Sequence, residues 1–131
     1  MTNPKVLIVD DSQAVRTSVR EALTQAGFDV VEAVDGEEGR RLIRDISDLA
    51  LVLCDVNMPR MDGLSMLELV KSDPIHAHLP VLMLTTEGEP ALVRRARDAG
   101  AKGWIVKPFQ PDLLVNAVRR VASASYDRAA K

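Results

Sequence analysis

Five short apolar segments lie along the chain, separated by stretches in which apolar residues recur at helical spacing. The segments occupy residues 6–9, 29–33, 50–54, 81–84 and 104–106. The first, third and fourth have no polar break, which is typical of strands buried on both faces of a sheet. The alternation of five strands with five helices predicts an α/β domain with a parallel sheet between two layers of helices.

Helix start and stop signals agree with this alternation. Ser12 is a good N-cap for a helix from Gln13 to Ala26, and Gly27 suits a left-handed C-terminal cap. The other four helices are predicted to begin after Asp35, after Asp62-Gly63, at Pro90 and at Pro111. We expect one domain over residues 1–122 and a short polar C-terminal tail over residues 123–131.

The strand order follows from the same pattern. The unbroken first, third and fourth strands should be central, whereas the second and fifth are short or flanked by charge and should be edges. Right-handed crossovers then favour the order 2-1-3-4-5. In such a sheet, ligands bind at the carboxyl ends of the strands, where the order reverses between strands one and three.

Polar side chains are concentrated at those strand ends. Asp10 and Asp11 follow strand one, Asp55 follows strand three, Thr85 follows strand four and Lys107 follows strand five. Carboxylates about 4 Å apart repel by roughly 4 kcal/mol per pair at a surface-like dielectric, so a cation is needed to hold three of them together. Carboxylate oxygens with open water positions suit Mg²⁺.

The chemistry that this group of residues favours is formation of an aspartyl phosphate. Asp55 is the candidate nucleophile, and a metal bridging Asp55 and a phosphate oxygen would screen their mutual repulsion. Lys107 is placed to pair with a second phosphoryl oxygen, and the Thr85 hydroxyl is placed to bond a third.

These residues resemble, in order and spacing, the signature of bacterial two-component response-regulator receiver domains, which have a flavodoxin-like fold. Residues 55–63 are most similar to the stand-alone chemotaxis subgroup. The resemblance implies that Asp55 accepts a phosphoryl group from a sensor histidine kinase. It implies that Asp10, Asp11, Asp55 and the backbone carbonyl of Asn57 hold Mg²⁺. It also implies a cis bond between Lys107 and Pro108.

The resemblance further implies a switch and its partners. Thr85 would sense the phosphoryl group and Trp104 would be the aromatic switch residue, which together alter the face of helix four, strand five and helix five. A downstream protein target, in the chemotaxis subgroup the flagellar motor switch, would read that face, and a phosphatase would reset it. Asn57, Thr86 and Glu87 would set access and rate.

Two positions depart from the family pattern. The residue after Thr85 is usually small, and we expect the bulkier Thr86 to restrict access to Asp55. The switch position is more often Tyr or Phe than Trp104.

Composition and charge limit the cellular location and the partners that we expect for the protein. The 131 residues are 47% apolar and 27% charged, with no run long enough to cross a membrane and no signal peptide, and the single Cys54 favours a reducing cytoplasm. The net charge of −2 argues against nucleic acid as a partner. Residues 91–131, with 9 Lys/Arg against 3 Asp/Glu, form either a solvated face or a surface for an acidic partner.

The sequence alone is compatible with two functions outside this family. A Mg²⁺-dependent phosphohydrolase of the haloacid-dehalogenase type also uses an Asp nucleophile, but normally after the first strand. A flavodoxin-like redox carrier is disfavoured because three carboxylates would repel a flavin phosphate. Within the receiver interpretation, the protein is a regulator that assists its own phosphorylation and dephosphorylation. It is then a motor-directed switch, a phosphate sink or relay, or the receiver of a longer regulator.

Overall fold

The computed structural model describes residues 3–58, 60–86 and 90–130, with side chains described as far as residue 122. Its strands are β1 (Lys5–Val9), β2 (Asp29–Ala33), β3 (Leu49–Asp55), β4 (Val81–Thr85) and β5 (Gly103–Val106). Its helices are α1 (Gln13–Gln25), α2 (Gly36–Asp45), α3 (Gly63–Ser72), α4 (Pro90–Asp98) and α5 (Pro111–Ala130). The predicted alternation of strand and helix is confirmed.

All five strands are parallel and lie in the order β2-β1-β3-β4-β5, as predicted. One row of paired residues runs from Val9 through Cys54 and Met83 to Trp104. Because Val9 pairs with Cys54, the residues that follow them are level, and Asp10 therefore leaves β1 beside Asp55. The register of the sheet thus aligns the acidic positions at one rim.

The sheet separates two apolar clusters. One lies under α2, α3 and α4 and includes Ile43, Leu67 and Ala96. The other lies under α1 and α5 and includes Leu23 and Val118. The central strands β1, β3 and β4 are almost entirely buried, which explains their unbroken apolar sequences.

Side-chain caps fix where the helices start. The Ser12 hydroxyl accepts a hydrogen bond from the Val15 amide, as the sequence predicts. The spacing of Asp35 and Glu38 predicts a capping box, and the Asp35 carboxylate does accept from the Glu38 amide. The reciprocal bond differs, because the Glu38 carboxylate accepts from the Val34 amide, one residue before the cap.

The C-terminal segment differs from its prediction. A polar tail was expected over residues 123–131, but α5 continues to Ala130. No glycine or proline interrupts this segment, and its alanines favour the helix. The domain boundary after residue 122 stays a prediction, since a helix can extend beyond the core that it packs on.

Candidate functional site

Asp10, Asp55 and Thr85 lie at the carboxyl rim of the sheet with almost no exposed surface. Their exposed fractions are 0%, 6% and 1% respectively. Asp11 lies beside them and is exposed, so it forms the solvent side of the group. The structure therefore brings together the strand-end residues that the sequence singled out.

Asp10 is held at three oxygens. Its Oδ1 accepts from the Ser12 amide at 2.9 Å, and its Oδ2 accepts from Lys107 Nζ at 2.8 Å. Its backbone carbonyl accepts from Arg16 Nη1 at 2.7 Å. Hydrogen bonds to a charged group are stronger than neutral ones, so this carboxylate keeps its position without a metal.

Arg16 is a positioning residue that the sequence analysis missed. Its Nε donates to Glu32 of β2 at 3.1 Å, and Arg20 donates to the other oxygen of Glu32 at 2.6 Å. The hydrogen bond from Arg20 is the main reason that the pKa of Glu32 lies below its ordinary value. The signal was present in the sequence as two arginines one helical turn apart and an acid within an apolar edge strand.

Asp55 is fixed mainly through its own backbone and the loop that follows it. Its Oδ1 accepts from the Val56 amide at 2.9 Å. The Gly63 amide donates to the Val56 carbonyl at 2.8 Å, which ties the start of α3 to the residue that follows β3. A Cβ added at Gly63 would lie 1.8 Å from the Asp55 carbonyl oxygen, so only glycine fits this approach.

Lys107 lies between the two buried acids. Its Nζ is 2.8 Å from Asp10 Oδ2 and 3.4 Å from Asp55 Oδ1. Burial alone would lower the pKa of Lys107, but the hydrogen bond to Asp10 and the charges of both acids outweigh it and raise that pKa. The amine is therefore a permanent cation at the site.

Asp55 has an unusual acidity. Burial and then the charge of Asp10 raise its pKa to about 6, against the partial compensation provided by Lys107. Asp55 is thus ionised, and able to act as a nucleophile, only above about pH 6 in the metal-free protein.

This acidity gives a prediction for stability. The Asp55 pKa is about 6 in the folded state and ordinarily 3.8, so the folded state binds more protons between these values. The wild type therefore loses stability as the pH rises through that range. In the metal-free protein, Asp55→Asn should raise the free energy of unfolding by about 1 kcal/mol near pH 7.5, since water at the rim screens the charge.

Urea unfolding in the presence of a chelator, at about pH 7.5 and about pH 4, measures this effect. The advantage of the asparagine variant should largely disappear at the lower pH, where Asp55 is protonated in the folded state and partly protonated in the unfolded state. A variant less stable than the wild type at the higher pH would contradict the electrostatic account.

The acidic cluster fits a hard divalent cation. One oxygen each from Asp10, Asp11 and Asp55 lies within 4.8 Å of the others. Oxygens in an octahedral Mg²⁺ site lie roughly 3 to 4 Å apart, so a small contraction suffices. The exposed position of Asp11 leaves room for water ligands on the solvent side.

The remaining predicted residues lie around this centre. Thr85 ends β4, and its carbonyl accepts from the Lys107 amide at 2.7 Å. The Lys107–Pro108 bond is cis, as predicted. Asn57 and Thr86 are exposed beside the rim, whereas Glu87 lies outside the described residues.

Trp104 lies on β5 and packs against the cluster under α2, α3 and α4. Its Nε1 is buried and has no hydrogen-bond partner within the described parts of the chain. Burying the indole N–H without a hydrogen-bond partner costs free energy. Trp104 therefore differs from an ordinary core aromatic.

The thiol of Cys54 is fully buried, and burial raises its pKa above the ordinary range. It is therefore an inert core residue. None of the helices in the described ranges is long and apolar enough to span a membrane.

Comparison with known proteins defines the class of this site. The model of the response regulator receiver domain family matches residues 6–119. The chain belongs to that family.

Within the family, the chain is CheY-like. It is 40% identical over 111 residues to a chemotaxis protein CheY homolog of Campylobacter jejuni, a match that covers 84% of this chain and 85% of that protein. The match to chemotaxis protein CheY1 of Helicobacter pylori has the same identity and covers 84% and 90%. The structure of chemotaxis protein CheY4 of Vibrio cholerae superposes with a TM-score of 0.86 at 38% identity, covering 92% and 99% of the two chains. Receiver domains of this kind are regulators rather than classical enzymes, so the phosphohydrolase and redox alternatives lose their support.

Proposed function

We propose that this protein is a phosphorylation-activated signalling switch in which Asp55 accepts a phosphoryl group from a sensor histidine kinase. The observation that carries the proposal is the pairing of a buried Asp55 with Lys107 Nζ, 3.4 Å away, beside two further aspartates. An isolated buried acid would repel a phosphate. A lysine and a cation-binding cluster at the same rim remove that repulsion.

Each residue has a role in the proposed transfer. An Asp55 oxygen attacks phosphorus, the bond to the kinase imidazole breaks, and the aspartyl phosphate remains. Asp10, Asp11, Asp55 and the Asn57 carbonyl would hold Mg²⁺, which when bound supplies charge neutralisation for the phosphoryl oxygens. Lys107 exchanges its 2.8 Å bond to Asp10 for a phosphoryl oxygen, and the Thr85 hydroxyl bonds another.

The proposed output is the face formed by α4, β5 and α5. This face is built from elements that carry an exposed cation at Arg97 and exposed apolar side chains at Val106 and Leu113. It therefore suits a protein partner with acidic and apolar residues. The chemotaxis relatives favour the flagellar motor switch as that partner, and a phosphate sink, a relay or a longer regulator is the alternative.

The proposed setting is the cytoplasm, with a phosphatase as a further partner and without nucleic acid or membrane. Asn57, Thr86 and Glu87 are proposed to set access and rate. The exposed side chain of Thr86 supports this role, since it lies at the mouth of the rim rather than within the core.

Fluorescence of Trp104, the only tryptophan of the chain, tests the switch. Beryllofluoride with Mg²⁺, a mimic of the phosphoryl group, should change its intensity or emission maximum, because a buried Nε1 without a partner is sensitive to any movement of β5. The Asp55→Asn variant serves as the control and should not respond. A wild-type protein that binds the mimic without a change in fluorescence would contradict a switch role for Trp104.

A further inference from the structure

A cavity lies at the end of the sheet opposite Asp55. It has a volume of about 730 Å³ and lies between the end of α2, the start of β3, the α3–β4 loop and α5. The length of β3 separates it from the phosphorylation site by about 20 Å. Its volume is within the range of small-molecule sites, which is typically 300 to about 1,000 Å³.

The floor of this cavity is aliphatic. Ile43 and Ile46 from α2 and its end, Leu79 from the α3–β4 loop and Val121 from α5 all line it. Ile75 lines it as well and is 74% exposed, the largest exposure among the described large apolar side chains. An apolar group bound in the cavity would remove this surface from water, which contributes a favourable free energy of about 25 cal/mol for each Å² buried.

The rim of the cavity is basic. Arg44, Lys102 and Arg120 line it with exposed side chains, and none of the three has an ion-pair partner among the described residues. No acidic residue of the described ranges lines the cavity.

The acids close by in sequence already have polar partners. Asp45 lies 3.8 Å from Arg41, Asp48 lies 3.0 Å from Lys5, and Asp73 lies 3.0 Å from Nδ1 of His76. The three rim cations are therefore left to face the solvent above an apolar floor.

The wall formed by the α3–β4 loop is held in place by its own hydrogen bonds. Lys71 Nζ donates to the Ala77 carbonyl at 3.0 Å and to the Leu79 carbonyl at 2.6 Å. The Ile75 amide donates to Asp73 Oδ1 at 3.0 Å. A wall that is ordered before a ligand arrives lowers the entropic cost of binding.

We propose that this cavity binds a small amphipathic organic anion, with an aliphatic body on the floor and a phosphate or carboxylate group against Arg44, Lys102 and Arg120. The described lining contains no aromatic ring apart from the two imidazoles of His76 and His78, so a flat nucleobase has few stacking partners there. The aliphatic floor suits an alkyl chain.

Octyl phosphate, used below its micelle concentration, is the probe. Calorimetry should show saturable binding with a Kd below about 1 mM, and inorganic phosphate or octanol alone should bind at least about tenfold more weakly. Nuclear magnetic resonance should show shifts of the ring signals of His76 and His78, which locates the ligand. Labelling of Asp55 by acetyl phosphate should be unchanged, so this proposal and the proposed function can fail separately.

The matched variant replaces Arg44, Lys102 and Arg120 by glutamine. The control is Arg94→Gln on α4, an exposed arginine that does not line the cavity. All of these side chains are exposed, so the fold should be retained. The triple variant should bind octyl phosphate at least about tenfold more weakly, and the control should match the wild type. Equal binding by the triple variant, absence of histidine shifts, or binding only above the micelle concentration would each overturn the proposal.

Discussion

Replacing Asp55 by asparagine should abolish Mg²⁺-dependent labelling of the protein by acetyl phosphate. An amide is a poor nucleophile and carries no charge for a metal, so the variant loses both functions of the carboxylate. The fold should be retained, because the asparagine Oδ1 can still accept from the Val56 amide. The expected loss is complete within detection, measured as incorporated phosphate per protein.

The matched control is Asp62→Asn on the same rim. Asp62 caps α3 by accepting from the Ser65 amide at 2.8 Å, and asparagine caps helices equally well. Its labelling should therefore equal that of the wild type. Residual labelling of Asp55→Asn, or an equal loss in both variants, would remove Asp55 as the phosphoacceptor.

The Gly63→Ala substitution should have the second large effect. The new Cβ would overlap the Asp55 carbonyl oxygen at 1.8 Å and crowd Cys54 Sγ at 3.0 Å, so the backbone at the end of β3 must move. Overpacking of this kind costs about 3 kcal/mol. A displacement of the nucleophile by about 1 Å should also slow labelling by about 100-fold.

Gly27→Ala is the control for the effect of losing a glycine. Gly27 has a φ of +95°, but a Cβ there would meet no atom within 4 Å. The control should cost only about 1 kcal/mol of backbone strain and leave labelling unchanged. Urea unfolding and labelling rates of both variants separate the two effects. A Gly63→Ala protein that labels at the wild-type rate would show that the loop is not needed to position Asp55.

Most of the fold could be predicted because its determinants are local or periodic. Unbroken apolar strands and crossover handedness predicted the strand order, and capping residues predicted where the helices start. The acid positions followed from the parallel direction of the strands. The extension of α5 was missed because the residues after Ala122 contribute no apolar stripe, although their propensity permits a helix.

The site was predicted as a set of residues but not as a network. Lys107 was expected to face a phosphoryl oxygen, and in the structure its shorter contact is with Asp10. The contact of Arg16 with the Asp10 carbonyl depends on how far a long side chain reaches, which spacing alone does not determine. Arg60 is a similar case, with a φ of 69° and a bond of 3.2 Å to Asp35.

The basic cavity was not predicted because no single segment contains it. Its cations come from three separated elements, and its floor comes from residues that the sequence shows only as ordinary core positions. Only the closed fold places the end of α2 near the second half of α5. The uneven charge of the chain was visible in the sequence, but the location of the unpaired cations was not.

The most direct measurement of the central claim is to map the phosphoryl group in the wild-type protein. After reaction with acetyl phosphate and Mg²⁺, borohydride reduces an aspartyl phosphate to homoserine, which peptide mass spectrometry then locates. We expect homoserine at position 55 alone, and none when a chelator removes Mg²⁺. Homoserine at Asp10, Asp11 or another aspartate, or modification that does not depend on Mg²⁺, would contradict the account.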